Sequence, residues 1–197
     1  MSAPGDTGSA RASAARRPRA DAARNRAALL DAARATLGAG EKLTLDAVAR
    51  TAGVGIGTLY RHFPTREDLV AAVYVAELES VLEAAGRARA DLPAGDALRA
   101  WMHRYAGFVA TKHDLAESLR AGALAGAAEA ARTRERVVEV IGAFLRDGAE
   151  AGVLRPGLDA EDVTTAMIGL LLVTRDVPDD AQIGRLLDLL VEGLRAH

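Results

Sequence analysis

The chain has 197 residues, half of them hydrophobic and only 4% aromatic, so it can bury a core made mostly of aliphatic side chains. It contains no cysteine, which excludes disulfide bonds, a thiolate nucleophile and cysteine-ligated zinc. The net charge of -2 conceals an asymmetry, because residues 1–75 carry 11 Lys and Arg against 7 Asp and Glu while the remainder is acidic. A basic N-terminal part is typical of a segment that meets a polyanion, although surface charge also varies without function.

Helical patterns follow one another along the chain, and alternating β-branched runs are missing. Residues 1–20 are mainly Ala, Ser, Gly and Pro with interspersed arginines, and we expect a disordered basic arm that either lies along a polyanion or is merely solvated. A first helix is predicted from about Asp21 to Leu37. We predict an all-α fold of about nine helices, with a small N-terminal domain at 21–80 and a larger helical domain at 81–197.

The stretch at 44–63, TLDAVARTAGVGIGTLYRHF, is the most informative part of the chain. Thr44 is placed to cap a helix at about 45–52, and Gly53 follows where a helix end favours the left-handed conformation. A second short helix is predicted at 55–62. Two short helices joined by a glycine-containing turn, with an outer face that is small, polar or basic, indicate a helix-turn-helix.

The segment PTREDL predicts the start of a long fourth helix. Pro64 ends the preceding helix, Thr65 caps the next one, and Asp68 completes a capping box. The fourth helix reaches about Arg89, a length that suits a rod linking two parts of the molecule. The remaining predicted helices lie at about 96–112, 114–124, 127–151, 160–174 and 179–197.

Residues 44–69 resemble the DNA-binding signature of the TetR (tetracycline repressor-like) family of bacterial transcriptional regulators. The matching segments are Ala52-Gly53-Val54, Gly57-Thr58-Leu59-Tyr60, His62-Phe63 and Arg66-Glu67-Asp68-Leu69. One position departs from the pattern, because Gly55 stands where the family usually has Ser or Thr. A hydroxyl for a phosphate or base contact is therefore lost at the start of the second motif helix.

The N-terminus is polar and lacks the apolar core of a signal peptide, so we expect a cytoplasmic protein. The resemblance implies a sequence-specific regulator that binds double-stranded operator DNA as a homodimer. It further implies a repressor that a small-molecule effector releases from the operator. Within the motif, it implies phosphate contacts by Thr44, Tyr60, His62 and Arg66. It implies that Ile56, Gly57 and Thr58 enter the major groove. At Gly55, only the backbone is available for a contact. For Tyr60 and His62, packing within the small domain is the alternative.

For the larger domain, the resemblance implies an effector pocket and a dimer interface formed by the last two helices. The candidate pocket lining follows an aromatic stripe at helical spacing, a pattern that plain core packing also produces. It comprises Trp101, Arg104, Tyr105, Phe108, Leu119, Arg120, Phe144 and Met167. The apolar content of the last two helices exceeds what one face needs, which favours an interface over burial in one subunit. The candidate interface residues are Ile168, Leu171, Leu172, Leu187, Leu190 and Leu194.

Two other classes of function fit the sequence less well. The GVGIG stretch at 53–57 superficially resembles a phosphate-binding loop of an enzyme, but such a loop follows a strand. The four histidines show no ligand spacing, so we expect no catalytic residue, metal site or cofactor. A helical adaptor that uses the motif for protein contacts would not explain the basic arm together with Thr44 and Arg66. The longest apolar run, 167–173, is far below the ~20 residues that span a bilayer, so no membrane partner is expected.

Overall fold

The structure is a computed structural model that describes residues 8–39, 41–120, 127–174 and 179–196, with side chains described for 20–39, 41–110, 131–174 and 179–196. Within these ranges the chain forms eight α-helices and no β-strand, as the predicted all-α class requires. The chain divides into two compact units, Met1–Val73 and Tyr74–His197. The helices are α1 (Gly8–Gly38), α2 (Leu45–Thr51), α3 (Ile56–His62), α4 (Arg66–Asp91), α5 (Ala94–Arg120), α6 (Ala127–Glu150), α7 (Ala160–Thr174) and α8 (Asp180–Leu194).

Helix α1 is longer than the sequence pattern predicts. It begins at Gly8 rather than at about Asp21, so residues 8–20 are helical where we predict a disordered arm. Alanine and arginine dominate this stretch, and their high helix propensity favours the extension, although Pro18 within it removes one helical hydrogen bond. The rest of the predicted arm, residues 1–7, lies outside the described residues.

The first unit has a small core in which α1 packs on α2 and α3. Apolar residues at helical spacing point inward from each helix, among them Leu29, Val48, Leu59 and Phe63, all buried. Gly53 has a φ of +65°, the left-handed conformation predicted for it, and this lets the chain turn directly from α2 toward α3.

Helix α4 begins with the predicted capping box. The Thr65 amide donates to Oδ2 of Asp68 at 3.1 Å, and the Asp68 amide donates to Oγ1 of Thr65 at 3.1 Å. The helix has 26 residues, which corresponds to about 39 Å. The boundary between the two units falls within it, so Arg66–Val73 belongs to the first unit and the rest to the second.

Helix α5 is continuous where two helices are predicted. It runs from Ala94 to Arg120 without the expected break near residue 113, which is why eight helices rather than about nine are found in the described chain. No glycine or proline occurs between Gly107 and Arg120 to interrupt the helical hydrogen bonds.

The second unit has one hydrophobic core, to which α4, α5, α6, α7 and α8 all contribute. Trp101 lies at its centre, almost completely buried, and its indole Nε1 donates to the Val81 carbonyl at 2.9 Å. This hydrogen bond satisfies the buried indole and ties α5 to α4. Other side chains with almost no exposed surface are Leu98, Met102, Ile141, Phe144, Met167 and Leu187.

Two bidentate ion pairs connect α4 with α6. Arg136 donates to both carboxylate oxygens of Glu79 at 2.7 Å, and Arg89 donates to both oxygens of Asp147 at 2.6 and 2.9 Å. The hydrogen bonds from arginine lower the pKa of Glu79 and of Asp147. Both pairs advance along the two helices in the same chain direction, so α4 and α6 run parallel.

Candidate nucleic-acid interface and ligand domain

The start of α2 is capped by a side chain that retains a free donor function. Thr44 is exposed, with φ -123° and ψ 144°, and its Oγ1 accepts a hydrogen bond from the Ala47 amide at 3.3 Å. The predicted cap is confirmed. Because a hydroxyl can accept and donate at the same time, the same group can cap α2 and donate to a phosphate oxygen.

Helix α3 has a buried face and an exposed face. Leu59 is buried in the first unit, whereas Ile56 and Tyr60 are 40% and 49% exposed. Gly57 is exposed as well, and Thr58 is half-buried. The seven residues of α3 contain no acid, and the last turn is basic. An apolar side chain, a hydroxyl and cations on one face suit the edges of bases and the flanking phosphates.

Gly55 forms the N-cap of α3 with its backbone alone. Its carbonyl accepts from the Thr58 amide at 2.8 Å and from the Leu59 amide at 3.1 Å, and no side chain caps the helix. The φ of -61° and ψ of 139° are open to any residue. A Cβ at this position would meet nothing within 4 Å, so the start of α3 is sterically open.

Two further predicted contact residues flank the turn between α3 and α4. His62 is half-buried, with its ring centroid 6.2 Å from that of Phe63. Arg66 is half-buried too, and its Nε donates to the Leu43 carbonyl at 3.1 Å. This hydrogen bond joins the start of α4 to the residue before Thr44, a contact that no local sequence pattern predicts.

A second arginine that the motif does not include supports α3 from behind. The guanidinium carbon of Arg26, on α1, lies 5.5 Å from the centroid of the Phe63 ring. A cation at this distance from an aromatic face is attracted by the ring quadrupole. Phe63 caps the C-terminus of α3, so Arg26 helps to fix the end of that helix.

The aromatic residues predicted to line an effector pocket form a packed cluster. The ring centroids of Trp101 and Tyr105 lie 5.4 Å apart, those of Trp101 and Phe144 5.7 Å, and those of Tyr105 and Phe108 5.9 Å. All four side chains and Met167 are buried in the core of the second unit. Burial raises the pKa of the Tyr105 hydroxyl to about 12. As a ligand lining, these residues stay a prediction.

The remaining predicted lining residues differ in position. Arg104 is exposed, and its Nη2 donates to Oγ of Ser80 at 3.1 Å. Leu119 and Arg120 end α5, and their side chains lie outside the described residues.

Two surface clefts are found in the part of the second unit that the structure describes, and none of the predicted lining residues with described side chains borders either of them. The first, of about 290 Å³, lies between α5 and α8, where Arg99 donates to both oxygens of Asp188 at 2.5 and 2.9 Å. His103 Nε2 lies 3.4 Å from Oδ1 of the same carboxylate. The arginine hydrogen bonds are the main reason that the pKa of Asp188 falls to about 2. The second cleft, of about 210 Å³, contains Arg146 and Arg155.

The predicted interface residues divide between core and surface. Leu171, Leu187 and Leu194 are buried within the subunit, so they contribute to its core and offer no surface to a partner. Ile168 and Leu190 are half-buried. The exposed large hydrophobic residues of the last two helices are Leu172, at 52%, and two that were not predicted, Val173 at 84% and Leu189 at 68%.

The helical class, the two units and the exposed face of α3 define a helix-turn-helix DNA-binding protein. Residues 29–73 match the family model of bacterial regulatory proteins of the tetR family. Residues 93–196 match the model of the C-terminal domain of SbtR-like transcriptional regulators. The chain belongs to the TetR family, as its motif resemblance predicts, and is a DNA-binding transcriptional regulator.

Solved structures lead to the same family. A TetR transcriptional regulator from Streptomyces coelicolor is 37% identical over 86% of this chain and 98% of its own, with a TM-score of 0.73. A TetR regulatory protein from Mycobacterium vanbaalenii is 30% identical over 90% of this chain and 99% of its own, with a TM-score of 0.72. Among curated proteins, none matches the chain. No helix in the described ranges is sufficiently long and apolar to cross a membrane.

Proposed function

We propose that the protein is a homodimeric repressor that acts in the bacterial cytoplasm and leaves its operator when a small-molecule effector binds. The observation that carries the proposal is the exposed face of α3, where Ile56 and Tyr60 stand at the surface of a basic, acid-free helix. Members of this family bind operator DNA, act as dimers and bind small-molecule effectors.

In this proposal the motif divides its contacts between positioning and reading. Thr44, Tyr60, His62 and Arg66 contact the phosphate backbone, which fixes the register of the protein on the duplex without reading sequence. The first turn of α3 then enters the major groove, which is wide enough for a helix. There Ile56 offers an apolar contact, Gly57 allows a close approach, and Thr58 offers both a hydroxyl and a methyl group.

The effector acts through linkage between two binding equilibria. Two recognition helices of a dimer fit successive major grooves when they lie ~34–36 Å apart. An effector that binds more tightly to a dimer with a different distance between its recognition helices must weaken DNA binding. By linkage, DNA weakens effector binding by the same factor. Among the proposed lining residues, Arg104 and Arg120 would meet an acidic group, and the buried aromatic cluster would have to open to admit an apolar one.

We further propose that the dimer forms through the exposed apolar residues of α7 and α8. Leu172, Val173 and Leu189 are the most exposed large hydrophobic side chains of these helices. Gly169 is also exposed and has nothing within 4 Å of a built Cβ, so a second helix can approach closely there. Leu172→Asp is expected to convert the dimer to a monomer in sedimentation velocity. Val75→Asp, at an equally exposed valine of α4, is the matched control and should remain dimeric.

The DNA-binding part of the proposal is tested with duplexes that cover the region upstream of the gene. Fluorescence anisotropy at low salt should show saturable binding, and Tyr60→Ala should weaken it. Absence of binding to every such duplex, and to duplexes from a random-sequence pool, would overturn the proposal and favour an adaptor that uses the motif for protein contacts. Transcription in vitro then separates repression from activation, and small molecules that release the duplex identify the effector class.

A further inference from the structure

We propose that Arg66 is a positioning residue of the DNA-binding surface, which acts through the backbone of Leu43 on the neighbouring Thr44. The observation is the hydrogen bond from Nε of Arg66 to the Leu43 carbonyl, at 3.1 Å and partly buried. It connects the first residue of α4 with the residue that immediately precedes the N-cap of α2.

Both ends of this connection are held in place. At one end, the capping box of Thr65 and Asp68 fixes the first turn of α4, and Arg66 is the residue that follows the cap. At the other end, the side chain of Leu43 is 1% exposed and anchored in the core of the first unit. The carbonyl of Leu43 leads directly into Thr44, whose extended backbone and capping hydroxyl set the start of α2. Arg66 therefore braces the segment that presents the Thr44 hydroxyl.

The bond depends on a chemical feature that only arginine has at this place in the side chain. The Nε–H of arginine occupies the position that a methylene group occupies in lysine, so lysine keeps the positive charge and loses this donor. A residue that served only as a phosphate contact would tolerate lysine, because a phosphate attracts either cation. A residue that positions Leu43 would not tolerate it.

The exchange Arg66→Lys thus separates the two roles. Binding of the full-length protein is measured by anisotropy at several salt concentrations, with the tightest duplex selected from a random-sequence pool. The inference predicts weaker binding at every salt concentration, by about fivefold for each Thr44–phosphate hydrogen bond that is lost and hence by about thirtyfold for a dimer with two such contacts. The salt slope should stay unchanged because lysine keeps the charge. Arg50→Lys, at an exposed arginine of α2, is the matched control and should bind like the parent protein. An Arg66→Lys variant that also binds like the parent overturns the inference.

A double-mutant cycle tests the route through Thr44. This step rests on the proposed phosphate contact of Thr44, so Thr44→Val alone must weaken binding. If Arg66 acts through Thr44, Arg66→Lys should cost less than twofold when Thr44 is already valine. If the two substitutions lower the affinity independently, so that their effects multiply, the inference is overturned. The proposal that the protein binds DNA is not affected by that outcome. A Thr44→Val variant with full affinity overturns the Thr44 contact itself, and with it this route.

Arg66→Lys could weaken DNA binding simply by lowering the stability of the protein. A measurement on the protein without DNA distinguishes this effect from a positioning role. Amide hydrogen exchange is followed at Ala47, whose N–H is the donor in the Thr44 cap. The inference predicts faster exchange at Ala47 in Arg66→Lys and unchanged exchange at residues buried in the second unit. Equal acceleration throughout the chain would mean general destabilisation and would overturn a positioning role.

Discussion

The substitution Gly55→Ser tests whether the recognition helix lacks a contact that a hydroxyl would supply. Related motifs usually carry Ser or Thr at this position, and here the N-cap of α3 has no side chain. The backbone conformation suits serine, and a built Cβ has nothing within 4 Å. The substitution therefore adds a hydroxyl without introducing strain.

The expected effect follows from two contributions. As an N-cap, serine stabilises a helix by a few tenths of a kcal/mol more than glycine. A hydrogen bond from its hydroxyl to a phosphate contributes about 1 kcal/mol net. Because a dimer presents two recognition helices, the contact counts twice and amounts to about 2 kcal/mol, or roughly thirtyfold in affinity.

Anisotropy titrations of Gly55→Ser and Gly55→Ala against the same duplex provide the assay. Alanine fits the same space but has no hydroxyl and is a poorer N-cap than glycine. We expect serine to strengthen binding and alanine to weaken it slightly. If the Gly55→Ser and Gly55→Ala variants bound DNA equally well, the start of α3 would not face a phosphate. The orientation proposed for the motif would then be wrong.

Three further predictions concern the second unit. Gly148→Ala should lower the free energy of unfolding by about 1–3 kcal/mol in a urea titration, because the added Cβ would lie 2.3 Å from a methyl carbon of the buried Leu154. Gly86→Ala is the control, and because the space around Gly86 is open, it should raise the free energy of unfolding by up to about 1 kcal/mol. The pKa of Tyr105 is raised from 10.0 to about 12, so the unfolded chain loses this proton at a lower pH than the folded chain. The free energy of unfolding should therefore fall as the pH rises from 10 to 12, by at most about 3 kcal/mol. In urea titrations at increasing pH, Tyr105→Phe should show a smaller fall. The pKa of Asp188 is lowered from 3.8 to about 2, so the ionised carboxylate stabilises the fold above pH 4 and this stabilisation is lost toward pH 2. Asp188→Asn should have a lower thermal midpoint than the parent protein at neutral pH. The two midpoints should converge in acid.

Local chemistry made much of the fold predictable. The N-cap at Thr44 and the left-handed Gly53 involve residues no more than three positions from the groups that they bond or turn, so the sequence pattern contains the whole interaction. The capping box of Thr65 and Asp68 belongs to the same category. Burial of one α3 face followed equally directly from helical spacing.

Contacts between distant segments were not predictable in this way. The Arg66–Leu43 hydrogen bond spans 23 residues, and its acceptor is a main-chain carbonyl that carries no side-chain signature. Periodicity also fails to tell a core from an interface, since both are apolar. Leu187 and Leu189 look alike in sequence, yet one is buried within the subunit and the other is exposed. Their separation depends on how α8 is rotated against α5 and α7.

The ion pairs between α4 and α6 have a directional meaning. Along α4 the acid comes first and the base second, Glu79 then Arg89, and along α6 the base comes first and the acid second, Arg136 then Asp147. If α6 were reversed against α4, Glu79 would face Asp147 and Arg89 would face Arg136, so two attractions would become two repulsions. Exposed pairs of this kind add little to stability, but their order penalises the antiparallel arrangement and favours the observed one. The four charges thus encode helix polarity, which an apolar stripe cannot specify.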